Sequence, residues 1–238
     1  MTEKFLVFDV SAQYGHFKKP YTTTSPLTYS IPTRTAMAGM ISAILGLSKT
    51  EYSKYFTRDK ARIAVGIINP IKKVRIAENL ISTQKSMHKI HERTQIKIEF
   101  LKDVCYRIYF THSDGEIYGK LKRLLAGHET IYSISMGLSE NLANYVFRGE
   151  FEGQIIDKNG EFVELSSIMP TDILKKGDVE YEDGKEYFTE TIPIEMDVDR
   201  NVKEYKEVLF ERNCKKIKAR AGSYIKIRGM DCNIVITK

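Results

Sequence analysis

The residues of this sequence that could do chemistry are histidines, lysines and arginines clustered on short segments. His88 and His91 stand three apart within Thr83–Thr94 (TQKSMHKIHERT), a polar, basic stretch with no apolar face. A histidine can take a proton from a hydroxyl, and a nearby Lys or Tyr can steady the negative charge that develops. With Tyr52 and Tyr55, the stretch therefore holds the side-chain types of metal-independent phosphodiester cleavage. The same types on a segment that cannot fold on itself also grip a polyanion backbone, and Lys72, Lys73, Arg75, Lys85, His88, Lys89, His91 and Arg93 form such a set. His16, Lys18 and Lys19 are a second group. Either they contact phosphates or bases, with Tyr14 or Phe17 stacking, or they are loop surface with the aromatics pinned to the core. Arg34 opens a helix, where free N–H groups and the dipole already favour an anion. An exposed arginine there is electrostatically misplaced unless it holds a phosphate. Gly137 and Ser139 sit in a turn that either lets a ligand approach the backbone or is a plain turn.

Other chemistries lack their residues. No Walker or Rossmann glycine pattern and no DxDxDG loop occurs, so no nucleotide cofactor or calcium site is expected. The five histidines are scattered, and the i, i+3 pair at 88 and 91 is a weak metal signal, so no metal is expected. The three cysteines (Cys105, Cys214, Cys232) are far apart and form no CxxC pair. That excludes a zinc ribbon or a disulfide framework and suggests a cytoplasmic protein with reduced thiols. No run approaches the length of a membrane span, and Met1–Asp9 does not read as a signal peptide.

The 238 residues carry a net charge of +6, very unevenly spread. Residues 71–97 hold +5, residues 150–211 hold −11, and residues 212–238 hold +7. Clustered cations are the footprint of a polyanion partner. An acidic block on the same chain suggests nucleic acid on one side and protein on another.

These residues need elements to position them. Phe5–Val10 reads as a buried strand. Residues 11–33, with Pro20, Pro26 and Pro32, read as a long ordered loop. Arg34–Leu47 predicts a buried helix with Thr33 as N-cap and Gly46 near its end, and with Ala36, Ala38, Gly39, Ser42 and Ala43 lying close on a sheet. Ile63–Asn69 is a strand. Gln95–Lys102 and Val104–Phe110 alternate cleanly, so 71–110 reads as long strands flanking a basic hairpin. Asp114 starts a helix to about Ala126. Tyr145–Ile156 is a strand or strand pair, 157–191 is acidic with turns, and 203–212 is a helix or strand. Strands follow at 215–219, 223–228 and 233–237.

The opening is distinctive. Phe8-Asp9-Val10, His16-Phe17-Lys18, Thr22-Thr23-Thr24-Ser25-Pro26-Leu27-Thr28-Tyr29, Pro32-Thr33-Arg34-Thr35-Ala36 and Gly39–Gly46 closely resemble a CRISPR-associated family of the RAMP superfamily. Its members hold the 5′ handle of the guide RNA in type I Cascade complexes. Leu101-Lys102-Asp103-Val104 with Tyr106, and Met136-Gly137-Leu138-Ser139-Glu140, agree with it. Subtype I-B is the most similar, and the resemblance covers about residues 1–150 well and the rest weakly. It implies an α+β fold: a ferredoxin-like (RRM-like) domain over 1–150 with a basic thumb hairpin at about 71–105, and a smaller β-rich region over 151–238. It implies partners too: the crRNA 5′ handle, the Cascade backbone subunit and the large subunit, with target DNA met only through the complex. One subtype of the family, I-C, processes precursor RNA and carries a Lys-His pair before its glycine turn. Here that region reads Gly119-Lys120-Leu121-Lys122-Arg123-Leu124-Leu125, and the nearest histidine is His128. The expectation is therefore a non-catalytic subunit, with a metal-independent endoribonuclease acting on repeat RNA as the alternative. The C-terminal cations, from Arg212 to Arg228, could extend an RNA path or face another subunit.

Overall fold

The structure, a computed structural model, describes residues 2–22, 24–48, 51–81, 90, 92–157, 160–197, 199 and 201–236. Strand β1 (Thr2–Gly15) carries Leu6, Phe8 and Val10 on one face and Phe5 and Val7 on the other, all buried. Successive side chains of a strand point to opposite faces, so this strand needs cover on both. Helix α1 (Arg34–Leu45), the short α2 (Tyr52–Tyr55), β2 (Ala61–Ile67), β3 (Lys72–Ile81), β4 (Arg93–His112), α3 (Gly115–Ala126) and β5 (Asn144–Asp157) follow. The antiparallel strand order β2-β4-β1-β5, with α1 after β1 and α3 after β4, is the ferredoxin-like arrangement. Met37, Ile41 and Ile44 of α1 and Leu121, Leu124 and Leu125 of α3 cover the Leu6–Phe8–Val10 face.

Both helix starts are set by side chains. Thr33 Oγ1 accepts from the Ala36 N–H at 3.1 Å, and Asp114 Oδ1 accepts from Glu116 and Ile117. Gly46 ends α1 with φ 74, a left-handed C-cap.

The two alternating runs, Gln95–Lys102 and Val104–Phe110, belong to one strand of 20 residues, β4, with Asp103 left-handed at φ 53 between them. Its second half lies between β1 and β2. Its first half pairs with β3 from Lys72↔Lys102 to Ile81↔Arg93, a two-stranded ribbon.

The remaining strands are β6 (Val163–Leu165), β7 (Met169–Pro170), β8 (Val179–Glu180), β9 (Tyr187–Met196), β10 (Val202–Glu211), β11 (Ile217–Ala219), β12 (Ser223–Ile227) and β13 (Cys232–Ile234). The central sheet continues from β5 through β12, β13, β6 and β11 to β8, so residue 150 falls inside a strand shared by both halves. Ile225, Ile227 and Ile234 fold back onto Phe5, Val7, Ala64 and Tyr109, covering part of the face opposite the helices. A second sheet, β7-β10-β9, brings Ile192, Ile194, Val208 and Phe210 into the core beside α1. The segment 203–212 is therefore strand. Strand β9 went unread in the acidic block, because Glu190 and Glu195 interrupt its apolar pattern. No helix among the described residues is long and apolar enough to cross a membrane.

Candidate nucleic-acid interface

A concavity of about 580 Å³ lies along α1. Its floor is the outward face of the helix: Thr35, Ala36, Gly39 and Ala43. Nothing lies within 4 Å of where a Gly39 side chain would begin. The small residues at this spacing thus do not all seat the helix on the sheet, as their run suggested. Met37, Ala38 and Ile41 do that, and the other side is open. The walls are the end of β1 and the loop after it (His16, Lys18, Pro20), the segment with Tyr132 and Gly137, and the β9–β10 hairpin with Pro193 and Met196.

The loop expected over 11–33 begins only after Gly15, because β1 continues through residues 11–15 against β4, and its described residues are pinned by hydrogen bonds. Tyr29 N–H donates to Phe17 O at 2.8 Å, Lys19 N–H to Leu27 O at 2.9 Å, and Tyr106 OH to Ser30 O at 2.6 Å. Phe17 is buried and Tyr14 packs edge-on to Phe100, so the structural reading of these aromatics holds. His16 is also buried. Its Nδ1–H donates to Glu99 O at 2.7 Å, leaving Nε2 as the ring's remaining polar atom in the groove wall.

Arg34 is a correction. It does not face solvent; it is 3% exposed. Its guanidinium donates to Phe56 O at 3.0 Å, Thr57 O at 3.4 Å and Ala61 O at 2.7 Å, tying the start of α1 to the entry of β2. Burial pulls its pKa down to about 10. Its position at the positive end of the helix is offset by three carbonyls rather than by a phosphate.

The close approach at Gly137 is likewise to protein. Its φ is +93, and a Cβ there would lie 1.9 Å from His16 O. Ser139 is exposed, with its hydroxyl 3.2 Å from Glu140.

The predicted cations divide into two sets. Lys19 pairs with Glu190 at 3.3 Å, and Lys73 lies 3.4 Å from Glu99 and 3.7 Å from Glu190, so both are neutralised at the base of the ribbon. Lys18, Lys72, Arg75 and Arg93 are exposed and have no ion-pair partner among the described residues. Cross-strand register puts Arg75 and Arg93 on one face of the ribbon, with Lys97 across from Ala77 on that face. Lys85, His88, Lys89 and His91 lie outside the described residues.

The charge blocks of the C-terminal half prove complementary. Lys216 pairs with Glu164 at 3.2 Å, Lys218 with Glu180 at 2.9 Å, Arg212 with Glu186 at 3.3 Å and Arg228 with Glu152 at 3.3 Å. Four carboxylates of the acidic block, Glu152, Glu164, Glu180 and Glu186, are therefore internal counter-charges of the basic segment after it, while Glu190, Glu195 and Glu204 pair with Lys19, Lys73 and Arg58 of the first half.

Among the described histidines, His112 is held by Tyr55 O at 2.8 Å and accepts from the Asp114 N–H, and His128 stacks on Tyr145 at 4.7 Å. No cluster of three or more metal-binding side chains occurs among the described residues.

Residues 5–114 match the model of the family described as CRISPR-associated protein (Cas_Cas5). No curated protein matches the sequence. Three solved structures share the fold. One is titled a CRISPR RNA-guided surveillance complex, with TM-score 0.56 and 11% identity, over 90% of this chain and 91% of that one. A CRISPR protein from Archaeoglobus fulgidus has TM-score 0.55 and 12% identity, over 95% and 97%. A chain of the Type III-B Cmr-beta complex, bound to cognate target RNA and AMPPnP, has TM-score 0.50 and 12% identity, over 92% and 86%. Over most of its length the chain shares the fold of these CRISPR proteins, and residues 5–114, a little under half of it, are similar to the CRISPR-associated (Cas_Cas5) family.

Proposed function

We propose that the chain is the guide-RNA-binding subunit of a type I CRISPR effector complex, most like subtype I-B, holding the RNA's 5′ handle without cutting it. The observation that carries this reading is where unpaired positive charge remains. Four C-terminal cations, Arg212, Lys216, Lys218 and Arg228, pair with internal carboxylates, while Lys18, in the groove wall, and the ribbon cations Lys72, Arg75 and Arg93 are exposed with no ion-pair partner among the described residues. Single-stranded RNA held through its backbone needs such cations and a concave path. The described histidines support the non-catalytic reading: His16 Nδ1 and both ring nitrogens of His112 are held by backbone groups, and His128 lies against the Tyr145 ring. Its partners in this reading are the backbone and large subunits, with target DNA met through the assembled complex.

The test is a labelled repeat RNA incubated with the full chain in EDTA, run on native and denaturing gels. A shifted, intact RNA is expected. Discrete cleavage without metal would establish the endoribonuclease instead, and His88, His91 and His128 would be the first residues to replace.

A further inference from the structure

The sheet face opposite the helices is covered by the C-terminal strands over only part of its area. On it lies Asp9, 3% exposed and gripped by two arginines. Arg107, its cross-strand neighbour in β4, donates Nε–H to Oδ1 at 2.6 Å and Nη2–H to Oδ2 at 2.9 Å. Arg148 donates Nε–H to Oδ2 at 2.7 Å. Arg148 is the extra residue where the β1–β5 register shifts, between Phe8↔Phe147 and Val7↔Gly149, so an irregularity in β5 delivers the second guanidinium to this site.

One carboxylate faces two guanidiniums, so the cluster carries one uncompensated positive charge. A guanidinium has five N–H donors, and the side-on fork to Asp9 uses two of those on Arg107. Arg107 also hydrogen-bonds the Tyr109 hydroxyl, so the free outer edge is that of Arg148, whose plane Asp9 fixes in the geometry that a second carboxylate meets bidentately. The Arg148 side chain is 46% exposed.

The surroundings mix aliphatic and neutral polar side chains, with Asp103 at the far side of the adjoining concavity and no cation among its lining. Val146, paired with Asp9 in the register and so on the same face, is 50% exposed, and Leu142 is 65% exposed in the adjoining concavity with Ser11 and Asn144. An RNA backbone asks for several spaced, unpaired cations, which the ribbon has and this face lacks. Exposed aliphatic side chains around an arginine pair fit a protein interface.

We propose that this open sheet face is a protein-docking surface, taking a partner segment that presents a carboxylate to Arg148 and an apolar side chain to Val146 and Leu142. The inference rests on the chain being one subunit of a larger effector complex.

The test co-expresses the full chain with the other protein subunits and guide RNA of its effector complex, for wild type and for Arg148→Gln, Val146→Glu and Leu142→Glu. All three changes leave the Asp9–Arg107 fork in place, and a melting curve checks folding. The expected result is about a tenfold loss of one protein subunit from the isolated complex, the deficit of Arg148→Gln relative to wild type narrowing at higher ionic strength as the charge contact is screened. Affinity of the isolated chain for a repeat RNA should stay unchanged. Full retention of every subunit overturns the proposal, as does a wild-type chain that isolates with no other protein, or a fall in RNA affinity that marks the face as a nucleic-acid surface. The RNA arm reads the function proposed above and the subunit arm reads this face, so the two failures are distinguishable.

Discussion

Arg34 and Gly137 are conspicuous at the residue scale, and each has a partner in the chain itself. Two buried carbonyls, Phe56 O and Ala61 O, and the part-buried Thr57 O accept from Arg34, and an unsatisfied buried acceptor costs on the order of 1–3 kcal/mol. Arg34→Met should therefore destabilise the chain by about 3 kcal/mol in a urea titration, while the folded fraction keeps its affinity for repeat RNA at fixed salt. Gly137→Ala should be at least as damaging, because the new methyl meets His16 O and the backbone there is left-handed. A loss of the urea midpoint without any change in the salt dependence of RNA binding would identify that glycine as structural. Asp9 gives a pH prediction. Burial pushes its carboxyl up, but the hydrogen bonds and charges of Arg107 and Arg148 outweigh burial and hold it below the ordinary carboxylate value. A depressed pKa stabilises above the unfolded-state value and stops doing so as pH falls through the folded one. Asp9→Asn should thus be less stable than wild type near neutrality, with the gap closing on acidification. Equal urea midpoints at neutral pH would contradict this. The sequence named Arg34 and Gly137 as special but not what they touch. An arginine at a helix start reads the same whether its acceptors are solvent phosphates or carbonyls 22 to 27 residues away.

Elements were legible wherever local chemistry decides them. The caps at Thr33, Asp114 and Gly46, and the alternation on both sides of the ribbon, are written in neighbouring residues and hold in the structure. The unity of β4 was not legible, because Asp103 looks like a turn residue and only its pairing with β1 and β3 makes the strand continuous. The groove was missed for a related reason. Ala36, Gly39 and Ala43 look like residues chosen to pack tightly, and only the placement of β9–β10 shows that this side of α1 stays open. The ribbon is where a charge experiment belongs. Replacing Lys72, Arg75 and Arg93 together by glutamine should lower the magnitude of the log-affinity versus log-salt slope for single-stranded RNA by up to about 2, since each lost phosphate contact is worth about 0.7. Replacing Lys19 and Lys73, which already have carboxylate partners, should move it much less. Equal effects would mean that the ion pairs open when RNA binds.

For the whole molecule, the two halves share one sheet and one set of charges. Removing residues 212–238 would strip β11–β13 and expose Phe5, Val7 and Tyr109, each worth roughly 1.5–3 kcal/mol when buried. The shortened chain should therefore aggregate on size exclusion rather than survive as a separate domain. The charge arithmetic along the sequence was accurate, but a linear count cannot say which charges will meet. The β6–β11–β8 and β5–β12 pairings, and the end of the β9–β10 pairing, bring residues of the −11 block against the +7 segment. These pairs are half exposed, so none is worth much as stability. Their consequence is for sequence change over time. A sign reversal at Glu164, Glu180 or Glu152 should be accepted in relatives mainly when Lys216, Lys218 or Arg228 reverses with it. The exposed ribbon positions Arg75 and Arg93 have no ion-pair counterpart among the described residues, and should drift only with the nucleic acid they meet.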